Sequence, residues 1–278
     1  MKGNEDMNWK NLFAPVKSLS AADARKFMAE RKSGEYQLLD VRQPREYEAG
    51  HIAGSLLIPI KELPERLGEL DREKPLLVYC AVGGRSRAAA QLLAGRDFAS
   101  VFNMTGGIKA WEGHQATGPE EMGLELLAGD GEYEDAVSLA YAMEDGLQEF
   151  YRRLAERMAA GAEKLLYTRL MGFEDRHKAR LLAEYQAEHG PGEIPAGPVG
   201  GIMEGGRNVR EAVDRMATMP GSRRDILDMA MMLETQALDL YSRLARKSGK
   251  RESRDFFARM AEEERTHLSL LAEELDRE

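Results

Sequence analysis

Apolar and polar positions follow two different rhythms along the 278 residues. Up to about Gly113, short apolar runs alternate with stretches of mixed character. YQLLDVR (36–42) and PLLVYC (75–80) are continuous apolar runs of the kind found in buried parallel strands. SVFNMTGG (100–107) reads as a further strand entering a glycine turn. AADARKFMAERK (21–32), IKELPERLGEL (60–70) and RSRAAAQLLAGR (85–96) carry helical spacing. This alternation predicts an open α/β domain over residues 1–113. Residues 114–131, HQATGPEEMGLELLAGDG, are rich in Gly, Pro and Glu and are expected to form a linker.

From about residue 132 the pattern stays helical. Four helices are expected, at 132–159, 162–188, 222–248 and 250–277, with a long crossover between the second and third and a short helix within it near 208–217. Two helical hairpins joined by such a crossover describe an all-α four-helix bundle over residues 132–278. An internal repeat runs through it. YRRLA at 151–155 recurs as YSRLA at 241–245, an offset of 90 that also relates Glu144 to Glu234, Glu174 to Glu264 and His177 to His267. The second half of the bundle reads as a copy of the first.

Composition narrows the function. A net charge of −9 argues against a nucleic-acid or anionic-membrane partner, and no apolar run approaches the roughly 18 residues needed to span a bilayer. MKGNEDMNWKN at the start lacks an apolar core and is not expected to be a secretory signal. One cysteine excludes an internal disulfide and any multi-cysteine metal site, which fits a reducing cytoplasmic compartment. The methionines fall mostly on helices, where they are expected in the core.

That cysteine, Cys80, stands where a strand ends, before a glycine-containing turn and a helix starting near Arg85 or Ser86. Such a turn aims backbone N–H groups and the positive end of a helix at the sulfur, and both favour the nucleophilic thiolate. Arg85 adds a fixed positive charge for an anionic substrate. The competing reading is a small buried thiol at a strand end. LLDVRQPREYEAGHIAGSLLIPI (38–60), followed by VYCAVGGRS, resembles the rhodanese family of sulfurtransferases. The resemblance rests on Asp40, Val41, Arg42, Glu46, Tyr47, Gly50, His51, Ile52, Gly54, Ser55 and Pro59. It continues through Cys80, Gly83, Arg85 and Ser86 to Gly106, Gly107, Ile108 and Trp111, covering about residues 17–113. Related cysteine phosphatases use C-x5-R; here Cys80 and Arg85 give the shorter C-x4-R, a tighter cradle suited to a sulfur atom. The resemblance implies catalysis by Cys80 and Arg85, with a Cys80 persulfide cradled by Ala81, Val82, Gly83, Gly84 and Ser86. It implies a small-molecule sulfur donor, such as thiosulfate or a persulfide, and an acceptor thiol. Asp40, Arg42 and His51 are expected to hold the fold.

The helical part carries two E-x-x-H motifs, Glu174 to His177 and Glu264 to His267. Residues three apart share a helix face, so each pair can reach one metal. One helix earlier in each repeat, Glu144 and Glu234 stand on otherwise apolar faces, where a bare carboxylate is costly to bury without a cation. A glutamate from each of two helices and an E-x-x-H from each of the others is the di-iron or di-manganese carboxylate arrangement. Tyr151 and Tyr241 lie seven residues after Glu144 and Glu234 and read either as hydrogen-bond partners of the ligands or as core tyrosines. His114 and His189 are not expected to be ligands. Residues 132–277 resemble the rubrerythrin branch of the ferritin-like superfamily, which implies two irons reacting with peroxide or dioxygen. The chain departs from that family in two ways. Its single cysteine cannot build a rubredoxin module, so the electron donor is external, and Ala237 stands where the family tends to offer a further glutamate. The leading expectation is a sulfurtransferase fused to a di-iron oxidoreductase handling peroxide or reactive sulfur, in a homodimer. The alternatives are an iron-storage protein with an accessory rhodanese module, or a redox sensor or scaffold.

Overall fold

The computed structural model describes residues 15–124, 133–195, 201–203, 206–216 and 222–277. The chain divides into two compact units, residues 1–120 and 121–278.

The first unit is built on β1 (Lys17–Leu19), α1 (Ala21–Ala29), β2 (Gln37–Asp40), α2 (Pro44–Ala49), β3 (Leu56–Leu57), β4 (Leu76–Tyr79), α3 (Gly84–Ala94) and β5 (Val101–Met104). The sheet order is β1-β5-β4-β2-β3 and every pairing is parallel. Both faces of such a sheet are covered, which is why the LLVY of β4 is buried at every position. Cys80 follows at the carboxyl end of this strand, the edge where open α/β sheets place their ligands. Asp40 and Arg42 form a buried ion pair at 2.7 Å, and Arg42 also donates to the Gly50 carbonyl at 2.7 Å. His51 stacks on Tyr47 with ring centroids 3.6 Å apart.

Two expectations need correction here. Residues 60–70 are turns with a short 3-10 segment at Leu67–Glu69, not a helix, because Pro64 lacks an N–H and its ring collides with the preceding turn. The start of the expected linker is folded onto the first unit: Ala116 exchanges backbone hydrogen bonds with His51 at 2.8 and 2.9 Å, and the Gly118 N–H reaches the Glu48 carbonyl. Residues 125–131 of that linker lie outside the described residues.

The second unit contains α4 (Tyr133–Glu156), α5 (Ala162–His189), β6 (Ile202–Met203), β7 (Arg207–Asn208), α6 (Val209–Met216), α7 (Arg223–Lys247) and α8 (Arg251–Asp276). The four long helices fall within a few residues of the expected spans. Ser222 starts α7 with a capping box closed by Asp225. In the crossover β6 pairs antiparallel with β7, and its Ile202 presses on α4 at Gly146, where a Cβ would lie 1.7 Å from the Ile202 carbonyl oxygen. No helix among the described residues is long and apolar enough to cross a membrane.

Candidate functional sites

The segment after β4 wraps around the cysteine sulfur. Cys80 is buried, and its Sγ accepts the Gly83 N–H at 3.1 Å and faces the Ser86 hydroxyl at 3.5 Å. Burial alone would raise the thiol's pKa. Hydrogen bonds from the Ser86 hydroxyl and from the N–H groups of Ser86, Val82 and Gly83 outweigh it, so the pKa is lowered and the thiolate favoured. The Ser86 hydroxyl has a single proton and lies closer to Asn103 Oδ1, at 2.7 Å, so the backbone donors carry most of this effect. Val82 is 60% exposed, so this part of the loop faces solvent while Cys80 itself is covered.

The loop is gripped from below by the turn after β5. Ile108 N–H donates to the Cys80 carbonyl at 2.8 Å and Lys109 N–H to the Ala81 carbonyl at 3.2 Å. So close an approach leaves no room for a side chain at Gly107, whose φ of 57° is also left-handed. Arg85 is more engaged than a free anion-binding charge. Its two terminal nitrogens bond both Glu46 oxygens at 2.7 Å each, while the guanidinium still feels the charge of the Cys80 sulfur. The guanidinium beside it holds the Glu46 carboxyl down at about 2. Sequence reasoning counted Glu46 in a pattern but missed this contact, which joins residues 39 positions apart. The Glu46 carboxylate is also committed locally, accepting the Gln43 N–H at the start of α2.

In the second unit the structure brings all six carboxylate and imidazole candidates together as two clusters. Glu144, Glu174 and His177 offer ligand atoms within 4.8 Å of one another, and so do Glu234, Glu264 and His267. His177 Nδ1 lies 3.2 Å from both Glu144 and Glu174, and His267 Nδ1 lies 3.3 Å from Glu234 and 3.1 Å from Glu264. The two imidazoles stack face to face, centroids 4.1 Å apart and planes 10° from parallel, so the clusters adjoin across the bundle axis.

All four glutamates are at most 5% exposed. Burial, together with the charges of Glu144 and Glu234, pushes the Glu174 carboxyl well above its ordinary range. Burial works against charging His177, but the hydrogen bond and charge of Glu144 outweigh it and raise its pKa. Glu144 Oε1 is buried with no hydrogen-bond partner among the described residues. An orphaned carboxylate oxygen amid oxygen and imidazole donors suits divalent metal ions. Tyr151 and Tyr241 are fully buried, the first packed with Phe150 and Tyr167 and the second with Phe257. Ala237 is buried in the core near Leu240 and Tyr241.

A cysteine cradled at the carboxyl edge of a parallel sheet, and a bundle enclosing paired carboxylate–histidine clusters, are the two candidate sites of a two-domain protein. The chain belongs to the rhodanese family through its first unit and carries a rubrerythrin domain in its second. The rhodanese-like domain model matches residues 23–114 and the rubrerythrin model residues 225–277. The thiosulfate sulfurtransferase GlpE of Coxiella burnetii is 37% identical over 86 residues, covering 31% of this chain and 80% of that protein. The uncharacterized protein YqhL of Bacillus subtilis is 43% identical over 77 residues, covering 28% of this chain. That match spans 61% of the Bacillus protein, under two thirds of its length. A rhodanese-related protein from Thermoplasma volcanium is 40% identical, with 34% of this chain and 90% of that one covered at a TM-score of 0.31. A rubrerythrin domain implies a di-iron site, and the two clusters are carboxylate–histidine groups able to bind metal.

Proposed function

We propose that the first unit transfers sulfane sulfur on Cys80. The observation that carries this reading is the thiolate-stabilising loop around Cys80 Sγ, with Arg85 beside it. The Cys80 thiolate attacks the outer sulfur of the donor. That S–S bond breaks, and sulfite leaves from thiosulfate, or a thiolate from a persulfide donor. Cys80 then holds the sulfur as a persulfide anion, stabilised by the N–H groups that favoured the thiolate. An acceptor thiolate attacks the outer sulfur, leaves with it as its own persulfide and restores the Cys80 thiolate. Thiosulfate as donor is supported by similarity to the Coxiella enzyme. With thiosulfate as donor and cyanide or a thiol as acceptor, Cys80→Ala abolishes transfer; undiminished transfer would refute the assignment.

For the second unit, the proposal is that Glu144, Glu174 and His177 hold one iron and Glu234, Glu264 and His267 the other, manganese being the alternative. Bound there, the metals would supply electron exchange with peroxide or dioxygen. The chain's own part is to neutralise the cations with four buried carboxylates. Electrons come from an external donor. Glu174→Ala combined with His267→Ala takes one ligand from each cluster. Metal bound to anaerobically purified protein should fall from about two ions per chain to a trace, and retained stoichiometric metal would remove these ligands from consideration.

A further inference from the structure

A cavity of about 180 Å³ opens beside the second cluster, between α5, α7 and α8. Leu166, Leu170, Phe173, Leu227, Leu270 and Leu271 form most of its wall, and Arg169, Glu273, Glu274 and Arg277 complete the lining with charged groups. Its inner end reaches Glu234 and His267. Leu270 is 48% exposed, so the cavity meets solvent on that side. A closed leucine-lined cavity of about 150 Å³ holds a benzene molecule. This one therefore has room for a single ring or a short branched chain, far more than hydrogen peroxide or dioxygen needs.

The internal repeat shows that the lining of this cavity departs from symmetry. The offset of 90 maps Leu166 and Leu170 onto Phe256 and Met260, which keeps the lining apolar, but it maps Phe173 onto Glu263 and Leu270 onto Arg180. Arg180 and Glu263 are ion-paired at 2.7 Å, with Glu263 within electrostatic reach of His177, His267 and Glu144. One face of the metal clusters is thus bridged by a charged pair where the other presents Phe173 and Leu270. A neighbouring pair is kept on both faces: Arg169 with Glu274, and its counterparts Arg259 with Glu184. Charge is lost at the two positions facing Glu234 and His267 and gained further out, where the exposed pair Glu273 and Arg277, 3.5 Å apart, stands in place of Ala183 and Ala187.

We propose that this cavity binds the apolar part of a small organic hydroperoxide, with its polar head directed at Glu234 and His267. The inference rests on the oxidoreductase reading for the fate of the head group. Reduction of such a substrate consumes two electrons and two protons and releases the alcohol and water, the electrons coming from the external donor. The apolar recognition itself does not need metal, so the test is separable from that reading.

Cumyl alcohol, the reduced form of cumene hydroperoxide, is titrated calorimetrically into the metal-free full chain and, separately, the iron-loaded chain. Saturable binding at one site is expected, with a dissociation constant on the order of a millimolar or below. Phe173→Glu with Leu270→Arg, which copies the Glu263–Arg180 pair onto this face, should weaken binding at least about tenfold with helicity and melting temperature retained. Arg180→Leu with Glu263→Phe, the reverse exchange, should add a second site. Absence of saturation in the unaltered chain would overturn the proposal. So would unchanged affinity in a folded Phe173→Glu, Leu270→Arg protein, or, if that protein does not fold, an unchanged single site in the reverse exchange. Loss of the di-metal reading would show separately, as metal-free protein after anaerobic purification.

Discussion

Gly107→Ala isolates the contribution of the turn beneath the cysteine loop. The new Cβ would lie 2.2 Å from the Cys80 carbonyl oxygen and 2.5 Å from the Ala81 carbonyl carbon, where ordinary contacts lie at 3.4–4 Å. Both are backbone atoms, so no side chain can swing aside and the loop must retreat by about 1 Å. Left-handed backbone costs a non-glycine residue about 1–2 kcal/mol, and overpacking about 1–3 kcal/mol more. A loss of about 2–5 kcal/mol lowers the melting temperature of a unit this size by on the order of 10 °C or more. The retreat also stretches the Ile108 and Lys109 hydrogen bonds that seat the loop. A displacement of about 1 Å at a reacting atom costs about a hundredfold in rate. The assays are thermal denaturation and sulfur transfer from thiosulfate. Gly84→Ala is the stability control: nothing lies within 4 Å of its new Cβ and the residue opens α3, so it should stabilise by about 0.5–1 kcal/mol. Wild-type transfer and melting in Gly107→Ala would refute the clamp.

The lowered Cys80 pKa predicts that iodoacetamide alkylation reaches half its limiting rate at a pH below that of an ordinary thiol, about 8.5, and that Ser86→Ala, which leaves the backbone donors in place, shifts this midpoint upward only slightly. Because the folded-state value is the depressed one, the linked stability is present above the unfolded thiol's pKa and lost as pH falls through the folded value; a midpoint at or above the ordinary one would contradict the loop's role. Arg85→Ala leaves the Glu46 carboxylate uncompensated near the sulfur, so KM for thiosulfate should rise about tenfold or more, with part of the loss regained in Arg85→Ala, Glu46→Gln. No recovery in the double variant would mean that Glu46 does not act on the site.

What the sequence made legible followed from period and spacing. The long helices showed because an apolar stripe at helical spacing persists over 24 residues or more, as in α4 and α7. The metal clusters showed because E-x-x-H places both side chains on one face. β3 did not, because a strand of two residues has no alternation to read, and β1 has three. α2 is brief and begins at Pro44, a good first helical position but a poor periodic signal. The segment 60–70 misled because its leucines keep helical spacing across Pro64, which breaks the hydrogen-bond ladder. The Arg85–Glu46 contact was out of reach because only the sheet brings α2 beside the cysteine loop.

The repeat also reconciles the uneven family match with the structure. The rubrerythrin model covers 225–277, the second hairpin. Yet α4 and α5 present Glu144, Glu174 and His177 in the arrangement that α7 and α8 present at the offset of 90, with His–Glu distances of 3.1–3.3 Å across the two clusters. The two hairpins therefore hold the same cluster within different surrounding sequences. Elsewhere the halves have diverged in kind: Glu149 and Arg153 pair near the surface of α4, whereas their counterparts Asp239 and Arg243 pair at 2.8 Å with both side chains buried in α7. A buried pair leaves a large penalty if either partner is lost, while a surface pair contributes little. Stability of the bundle is thus more sensitive to the second hairpin, and the ligand geometry is what both halves have kept.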